Sequence, residues 1–511
     1  MADWWLDAQV DLRRSLRMEQ PWKRYWNSIE PTVFALVAGA GIGVVAAAIA
    51  VAAEFLASTR FGWCTSHFYL GQQFCCWMDE MCDSWYAWTW AAFPLYVLFS
   101  IVFALASVRL VMYYAPHATG HGIPELKSIL GGFSLDGVLT WETLFVKAFA
   151  LIFAVASGLS VGKEGPLVHI ACCIGFLLSQ MFPRFRNNQA MMRNASSATA
   201  AAGIAVAFGA PLGGVLFSLE ELAYHFPYQV MWSSFLCAMA ASVALQVMNP
   251  FRTGKLVLFQ TASSFENSWL NFELPLFIAI GMLGGVFGVY FNKYALKMDK
   301  LRESRWSDRP SAMKDAVFVA GITSLVSYLF SYTQIDATEF LSLLFNGCTT
   351  VTNEMISVCA SADSLGTIAL FLFITAIIKF ALTLLAFGLH LPSGYYLPVM
   401  AIGASFGRAC GIVMQMVYLY SPGFFLFFSC PSDKQCINPA VYALVGSAAA
   451  MASVTKTSVA LVVIMFELTG ALHLVLPLML VGNSITLFIV VMMDSYSESL
   501  VFVLFRRRTR T

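Results

Sequence analysis

Long apolar runs recur along nearly the whole of this 511-residue chain, and they constrain its fold more than any other feature. Several reach the roughly 20 residues that a helix needs to cross a bilayer. Others are shorter or broken by glycine and proline, which a membrane tolerates only where neighbouring protein or a water-filled cavity satisfies the backbone. The runs include 31–56, 91–113, 144–160, 274–294, 316–329, 367–388 and 472–493.

Charged residues make up only 12% of the chain, against about a quarter in an ordinary soluble domain. We therefore predict an all-α polytopic membrane protein of well over ten helices, some of them half-spans, with the lipid bilayer as its surroundings. The formal net charge of +1 argues against nucleic acid as a partner, because such proteins carry a concentrated basic surface.

Basic residues cluster at both ends of the chain and once near its middle. Cytosolic segments are enriched in lysine and arginine, so this pattern predicts that both ends are cytosolic. We expect a cytosolic segment over 1–29, a transmembrane domain over 30–505 and a basic end over 506–511. A cytosolic loop at about 297–314 would divide the domain into halves of about 30–296 and 315–505. The residues are Arg13, Arg14, Arg17, Lys23, Arg24, Lys297, Lys300, Arg302, Arg305, Arg309, Lys314, Arg506, Arg507, Arg508 and Arg510.

Eight of the twelve cysteines fall in three polar loops, and the other four lie within apolar runs. Counting crossings places these loops opposite the basic segments, where an oxidising compartment would permit disulfides, although the sequence leaves the pairing open. The spacings do not match a zinc site, and we expect neither a metal nor a cofactor. The loop cysteines are Cys64, Cys75, Cys76, Cys82, Cys348, Cys359, Cys430 and Cys436.

Three glycine-framed motifs ending in proline each precede an apolar helix: Gly120 to Pro124, Gly162 to Pro166 and Gly394 to Pro398. Proline suits the first turn of a helix, and glycine allows a sharp turn and a close approach to a ligand. The free N–H groups at a helix start, together with the helix dipole, form an anion site without a cationic side chain. Three such starts in hydrophobic sequence predict an anion path through a membrane.

These motifs resemble, in order, the GxGIP, G(K/R)EGP and GxFxP signatures of the CLC family of chloride channels and proton-coupled chloride exchangers. Two further stretches, Phe208 to Glu221 and Val463 to Gly470, are similar to the same family, and the resemblance runs from about residue 30 to 505. Around Gly62 to Thr65 and Cys75 to Trp77 the chain looks more like the eukaryotic endosomal, Golgi and vacuolar exchangers than the bacterial ones. Five motifs in family order are highly specific.

The resemblance implies a fold of two inverted halves whose broken, tilted helices meet at a midplane anion site. It also implies a homodimer with one path per subunit. Eukaryotic relatives usually continue into two nucleotide-binding CBS domains. This chain stops at Thr511, so we expect no CBS domain and no nucleotide site within these residues.

Glu164 and Glu221 carry the transport chemistry that the resemblance implies. The Glu164 carboxylate, tethered beside a helix start, would compete with chloride for one site and leave it when protonated; alternatively, it only stabilises the helix dipole. Glu221 occupies the position that marks proton-coupled exchangers, whereas channels usually have an apolar residue there; alternatively, it emerges at the cytosolic surface. Glu220, beside it, is a candidate for proton uptake.

The expected chloride ligands are His121, Gly122, Ile123, Gly165, Tyr395, Tyr396 and the Tyr496 hydroxyl, although Tyr496 equally suits an interfacial aromatic belt. Two residues depart from the family pattern, since His121 replaces serine and Tyr396 replaces phenylalanine. A histidine could bind chloride, slow passage, respond to pH or alter selectivity, or its ring could turn away and leave the backbone to line the site.

The leading interpretation is a secondary transporter that exchanges chloride for protons across an endosomal, Golgi or vacuolar membrane. The alternatives are a passive chloride channel of the same architecture and an exchanger with altered anion selectivity, for nitrate or fluoride. An enzyme is not expected, because the sequence offers no nucleophile with a base partner, no metal-ligand cluster and no GxSxG motif.

Overall fold

Helices account for the apolar runs within the described residues, as the hydropathy predicted, while most of the run 472–493 lies outside them. The computed structural model describes residues 21–65, 75, 85–88, 92–133, 135–186, 188–222, 228–248, 269–305, 308–346, 365–421, 427, 430, 436–470, 474 and 477–478. Within these ranges it is almost entirely α-helical, apart from one short two-stranded hairpin. The prediction of an all-α protein with well over ten helices is confirmed.

The helices of the first half are α1 (Pro21–Ser58), α2 (Ala92–Tyr114), α3 (Ile123–Gly131), α4 (Trp141–Ala156), α5 (Glu164–Ser179), α6 (Pro183–Arg186), α7 (Gln189–Phe208), α8 (Pro211–Phe217) and α9 (Tyr228–Met248). A π-helical turn, Ser218–Leu222, extends α8. Strands β1 (Gly62–Cys64) and β2 (Trp85–Ala87) pair antiparallel between α1 and α2.

The second half contains α10 (Leu274–Arg305), α11 (Arg309–Leu329), α12 (Ser331–Gln334), α13 (Ala337–Phe345), α14 (Leu365–Ala386), α15 (Tyr396–Tyr420), α16 (Pro439–Thr455) and α17 (Val459–Thr469). Across the described part of both halves, seven helical segments are long and apolar enough to cross a membrane. Helices α5, α16 and α17 are apolar but shorter, which matches the expected mixture of full and partial spans.

Each half contains one helix–loop–helix unit of the same design. In the first half α4 is followed by a loop and α5, and in the second α14 is followed by a loop and α15. Both loops open at a glycine with positive φ, Gly158 (72°) and Gly388 (80°), a conformation that L side chains rarely adopt. The ends of the two loops pair antiparallel through Gly162 and Gly394. The two loops therefore run in opposite directions at the point where the halves meet.

Glycine spacing sets how closely the long helices pack. A methyl group on Gly39 or Gly43 of α1 would lie 2.4 Å from the carbonyl oxygen of Cys237 or Ala241 of α9. In the second half, a methyl group on Gly403 of α15 would lie equally close, 2.4 Å, to a backbone carbonyl of α16. Both contacts follow the small-xxx-small rule of membrane helices, in which close backbone approach supplies the packing energy that lipid cannot.

The basic segment 297–314 differs from the expected loop, because most of it is helical. Helix α10 continues to Arg305 and α11 begins at Arg309. Lysine, arginine and glutamate are good helix formers, so an apolar helix that reaches water can continue through them. Buried Arg302 strengthens this junction, since its Nε lies 2.8 Å from Asp315 Oδ2 and its guanidinium donates to the carbonyls of Leu385 and Phe387. Arg302 thus ties the segment to the end of α14.

Two disulfides lie in the described residues, Cys64–Cys75 beside β1 and Cys430–Cys436 before α16. Both join cysteines that were assigned to polar loops. Cys76, Cys82, Cys348 and Cys359 lie outside the described residues. The cysteines within apolar runs, Cys172, Cys173, Cys237 and Cys410, are free thiols.

Candidate anion site and its two glutamates

The three glycine-framed motifs meet in space, and each pair of motifs is in contact. The first and second touch where a methyl group on Gly165 would lie 2.7 Å from the His121 Cβ. The first and third touch through the rings of His121 and Tyr395, whose centroids are 5.2 Å apart and edge-on. The second and third are hydrogen-bonded through their glycines. Three helix N-termini, those of α3, α5 and α15, therefore converge on one buried point.

Gly162 and Gly394 hold the second and third helix starts together. The Gly162 N–H donates to the Gly394 carbonyl at 2.7 Å, and the Gly394 N–H donates back to the Gly162 carbonyl at 2.8 Å. A methyl group on Gly394 would lie 3.1 Å from the Gly162 carbonyl oxygen, so a side chain here would separate the loops. This exchange uses the backbone groups just before each helix, so it leaves the first-turn N–H groups, which have no acceptor within the helix, available to a ligand.

Gly122 sits at the start of α3 with φ of +81°, and buried groups pack directly behind it. A methyl group on Gly122 would lie 2.5 Å from Nδ1 of His169. That ring nitrogen is 2.7 Å from the Lys147 ammonium, and the His169 Nε2 is 3.2 Å from the Val138 carbonyl. This pattern fits a neutral imidazole with its proton on Nε2. A fully buried lysine thus lies behind the first helix start.

Glu164, the first residue of α5, is fully buried among the three motifs. Neither carboxylate oxygen makes a hydrogen bond of standard geometry within the described part of the chain. The backbone N–H groups of Glu164 itself and of Leu397, in the first turn of α15, are nevertheless close enough to favour its negative charge. The carboxylate therefore lies at the mouth of α15, where a helix N-terminus attracts an anion.

Two adjacent tyrosines form the wall between the two predicted glutamates. Tyr395 and Tyr396 are both buried, and their rings meet edge-on at 4.8 Å. Tyr396 lies within electrostatic range of the carboxylates of both Glu164 and Glu221. Phe217 packs on Tyr396 at 5.9 Å, which fixes the ring between the helix starts and the end of α8.

Glu221 lies on the π-helical turn and forms an ion pair with Lys127 of α3, with 3.3 Å between Nζ and Oε1. The side chains are 11% and 27% exposed for Glu221 and Lys127, respectively. Glu221 is thus largely buried, and its charge is paired with that of Lys127. Turns of π-helix are rare in proteins, and those that do occur are frequently found at functional sites.

Glu220 points the other way and caps α17. Its carboxylate accepts hydrogen bonds from the Ser458 N–H (2.6 Å), the Ser458 hydroxyl (2.9 Å) and the Ala460 N–H (2.9 Å). In turn, the carboxylate of Glu467 in α17 accepts hydrogen bonds from the Leu212 and Gly213 N–H groups at the start of α8. The two helices therefore cap each other, and consecutive glutamates serve different elements.

A cavity of about 380 Å³ leads to the convergence point. Its walls come from the α3 start, the end of α10, and the loop between α14 and α15. They include Gly120, His121, Arg302, His390, Ser393 and Tyr395. The polar side chains at its wall and its contact with two of the three motifs give an ion a route to the helix starts.

All but one of the site residues that the sequence singled out are described. Glu221 lies on the π-helical turn with Lys127 as its partner, and Glu220 lies at the start of α17. Those at the convergence point are His121, Gly122, Ile123, Glu164, Gly165, Tyr395 and Tyr396. Tyr496 lies outside the described residues. Sequence reasoning did not single out Lys147, His169 or Lys127. A lysine inside the apolar run 144–160 was a usable signal, because an ionisable group within a membrane segment is costly and usually functional. The sequence carried no comparable signal for Lys127, whose partner is distant in the chain.

Adding a methyl group at position 162 is expected to move the Glu164 carboxylate. A Cβ there would lie 2.2 Å from Glu164 Oε2, the mobile end of a flexible side chain. If the chain exchanges chloride for protons, as its sequence predicts, Gly162→Ala should raise chloride flux and lower the number of protons moved per chloride by severalfold, measured together in liposomes. Gly41→Ala, where the methyl group meets nothing within 4 Å, is the matched control. Unchanged coupling in Gly162→Ala would contradict this geometry.

The fold and the convergence of three helix N-termini define an integral membrane protein with an internal site suited to anions. A family model described as voltage gated chloride channel matches residues 103–483. The chain belongs to this family, the CLC family.

Known proteins of the family are similar over most of the chain. A probable chloride channel protein of Mycosarcoma maydis is 45% identical over 407 residues, covering 79% of this chain and 36% of its own length. The H(+)/Cl(-) exchange transporter 5 of Homo sapiens is 38% identical over 483 residues, covering 87% of this chain and 59% of its own. This chain thus spans between about a third and three fifths of these relatives.

Solved structures confirm the predicted fold. A crystal structure of a eukaryotic CLC transporter superposes with a TM-score of 0.70 at 26% identity, covering 95% of this chain and 75% of that one. A slow cyanobacterial Cl-/H+ antiporter has the same fold, with a TM-score of 0.70 at 20% identity.

Proposed function

We propose that this chain is the membrane transport unit of a secondary transporter that exchanges chloride for protons. The observation that carries the proposal is the burial of the Glu164 carboxylate where three helix N-termini converge. The named activity of the exchange transporter 5 relatives, at 38% identity, supports the same class.

In this mechanism chloride and the Glu164 carboxylate compete for one place. The N–H groups of Gly122, Ile123, Gly165, Tyr395 and Tyr396 supply the partial positive charge that holds an anion, with the Tyr496 hydroxyl as an added ligand. A proton taken up by Glu164 removes its charge and its attraction to these groups. The neutral side chain then leaves, and chloride takes its place. An arriving chloride favours the same exchange from the other direction.

Glu221 supplies the proton from the opposite side of the tyrosine wall. The ion pair with Lys127 supports this role, because it keeps a carboxylate stable at the edge of an apolar region. The position of Tyr396 within electrostatic range of both carboxylates supports a route between them. A share of proton uptake by Glu220 stays a prediction, and its three hydrogen bonds to α17 support a capping role instead.

A passive chloride channel is the second candidate, and the two are separated by one measurement. The protein would be reconstituted into liposomes, with chloride and proton movements recorded together. An exchanger drives protons uphill when only a chloride gradient is applied. Chloride flux with no proton movement would identify a channel.

His121 favours an exchanger with a distinct anion preference. It occupies the first helix start, is buried, and meets Tyr395 edge-on. We expect His121→Ser to change the chloride-over-nitrate preference severalfold in liposome flux, because a hydroxyl is smaller than an imidazole and cannot become cationic. His117→Ser, at an exposed histidine four residues earlier, is the matched control. Identical selectivity would remove His121 from the anion path.

We further infer a homodimer with one path per subunit in an endosomal, Golgi or vacuolar membrane, with both ends cytosolic. Membership of the CLC family supports the assembly and the location that the sequence resemblance implies. The basic residues at both ends and at the α10–α11 junction support the orientation.

A further inference from the structure

A second, smaller cavity lies apart from the helix starts. Its volume is about 40 Å³, and its walls come from the turn after α1, the end of α12 and the inner face of α14. The polar groups that line it include Arg60, Tyr96, Thr333, Gln334, Asp336 and Lys379. A polar cavity needs only about 10–15 Å³ to hold a water molecule, so this one has room for a monatomic anion.

Arg60 is buried at this cavity, with 5% of its surface exposed. Its guanidinium lies 5.2 Å from the Tyr96 ring centroid and 5.5 Å from that of Phe61. Its hydrogen bonds go to neutral acceptors, the Ala57 carbonyl at 3.3 Å and the Tyr96 hydroxyl at 3.4 Å. Within the described part of the chain no carboxylate forms an ion pair with it. Arginine normally recognises anions through a planar fork of donors, so a buried guanidinium with only neutral acceptors retains capacity for an anion.

Lys379, in the middle of α14, is the second buried cation, with 7% of its surface exposed. Its ammonium lies 4.6 Å from the centroid of the Phe340 ring. Among the described residues it makes no hydrogen bond and no ion pair. Burying an ammonium group is costly unless its N–H donors find acceptors. One aromatic ring satisfies only the side of the ammonium that faces it.

Asp336 is the one acidic residue in the cavity wall, and its carboxylate is already in use. As the N-cap of α13, it accepts from the Thr338 N–H at 3.1 Å and from the Thr338 hydroxyl. Its charge also interacts with the Lys379 ammonium, although the two groups form no ion pair, and with Glu54 and Glu164, both of which face Lys163 and neither of which lines the cavity. The wall itself therefore carries two cations and one carboxylate, an excess of one positive charge. A water molecule would satisfy the donors but leave this charge uncompensated.

The geometry points to a second anion site, in which Arg60 and Lys379 hold one chloride-sized monovalent anion. The cavity shares the wall formed by Ser160 and Val161 with the large cavity that leads to the helix starts. Arg60 also packs onto the loop between α4 and α5 that carries Ser160 and Val161, since a methyl group on Gly158 would lie 1.8 Å from the Arg60 Nη1. An anion here would therefore brace the loop that carries Gly162 and Glu164, so that one anion stabilises the structure around another.

Bromide in place of chloride tests the proposal through its anomalous X-ray scattering. Crystals of the full chain grown in bromide are expected to show a peak between Arg60 and Lys379, separate from any peak at the helix starts. Lys379→Met is expected to weaken bromide binding in the cavity by at least about tenfold, because a charged hydrogen-bond partner is lost. Lys379→Arg keeps the charge and should keep the peak.

Water density without anomalous signal in the cavity of the unaltered protein would overturn the proposal, and this outcome does not depend on any variant folding. Arg60→Gln provides a second variant, and loss of the cavity peak there would support the proposal. The readout separates this site from the proposed transport function. A peak at the helix starts with none in the cavity would reject only the second site, whereas the reverse pattern would reject the anion site of the transport mechanism.

Discussion

Glu164→Gln is expected to abolish coupled proton movement while chloride continues to pass at every pH. Glutamine has nearly the size of glutamate, but it carries no charge and cannot take up a proton. It therefore mimics the protonated state that the mechanism assigns to Glu164, which leaves the helix starts open to chloride. The measurement is paired chloride and proton flux in liposomes across a series of pH values.

The expected effect of Glu164→Gln is large because the carboxylate is buried among the helix starts. The Glu164 side chain is fully buried, which disfavours its charge, and the nearby Leu397 N–H at the start of α15 offsets part of this cost. When the carboxylate is removed, a competing chloride ion gains the whole interaction with the helix start that the carboxylate had. We expect proton flux to fall by at least about tenfold, because the amide that replaces the carboxyl group cannot take up and release a proton. If chloride permeation and its dependence on pH were untouched, the tethered carboxylate would not share the site with chloride.

Glu221→Gln is expected to have the second largest effect, with proton transport lost and chloride flux retained. Glu221 pairs with Lys127 rather than with a helix start, and the proposed mechanism assigns to it the exchange of protons with the Lys127 side of the molecule. The same paired flux measurement checks it. Chloride flux that fell together with proton flux would place Glu221 in the anion path instead.

Glu220→Gln is the matched control, because it changes the neighbouring glutamate in the same way. Its carboxylate caps α17, so the expected result is a loss of about 0.5–2 kcal/mol of stability with proton coupling intact. Thermal unfolding in detergent measures the first effect and liposome flux the second. Lost coupling with normal stability would instead support proton uptake by Glu220.

Much of the fold followed from local patterns. Apolar runs located the membrane helices, because helix formation in lipid depends on the composition and length of a segment. The motifs at Gly122, Gly165 and Gly394 marked helix starts correctly, since the requirements of a helix N-terminus are local as well. The basic segment at 297–314 was the exception. Charge indicated a loop, whereas lysine and arginine extend a helix readily.

The candidate site was only partly predictable. The tripeptide Leu219–Glu220–Glu221 contains two adjacent acids, and only the family resemblance, not their chemistry or spacing, distinguished them in the sequence. Their roles separate only because α17 approaches one and α3 approaches the other. Likewise, the buried lysines Lys147 and Lys379 look alike in sequence. One has His169 as its partner, while the other lines a polar cavity.

The amino-acid sequence alone determined that this protein is a helical membrane protein, where its helices begin, and to which family it belongs, because these properties depend on composition and short motifs. The tertiary structure decided that the three helix starts meet, that Glu164 lies at the mouth of α15, and that Glu220 and Glu221 serve different helices. Those facts depend on contacts such as Gly162 with Gly394, between residues far apart in the chain. Only the packing of the two halves against each other brings such residues together.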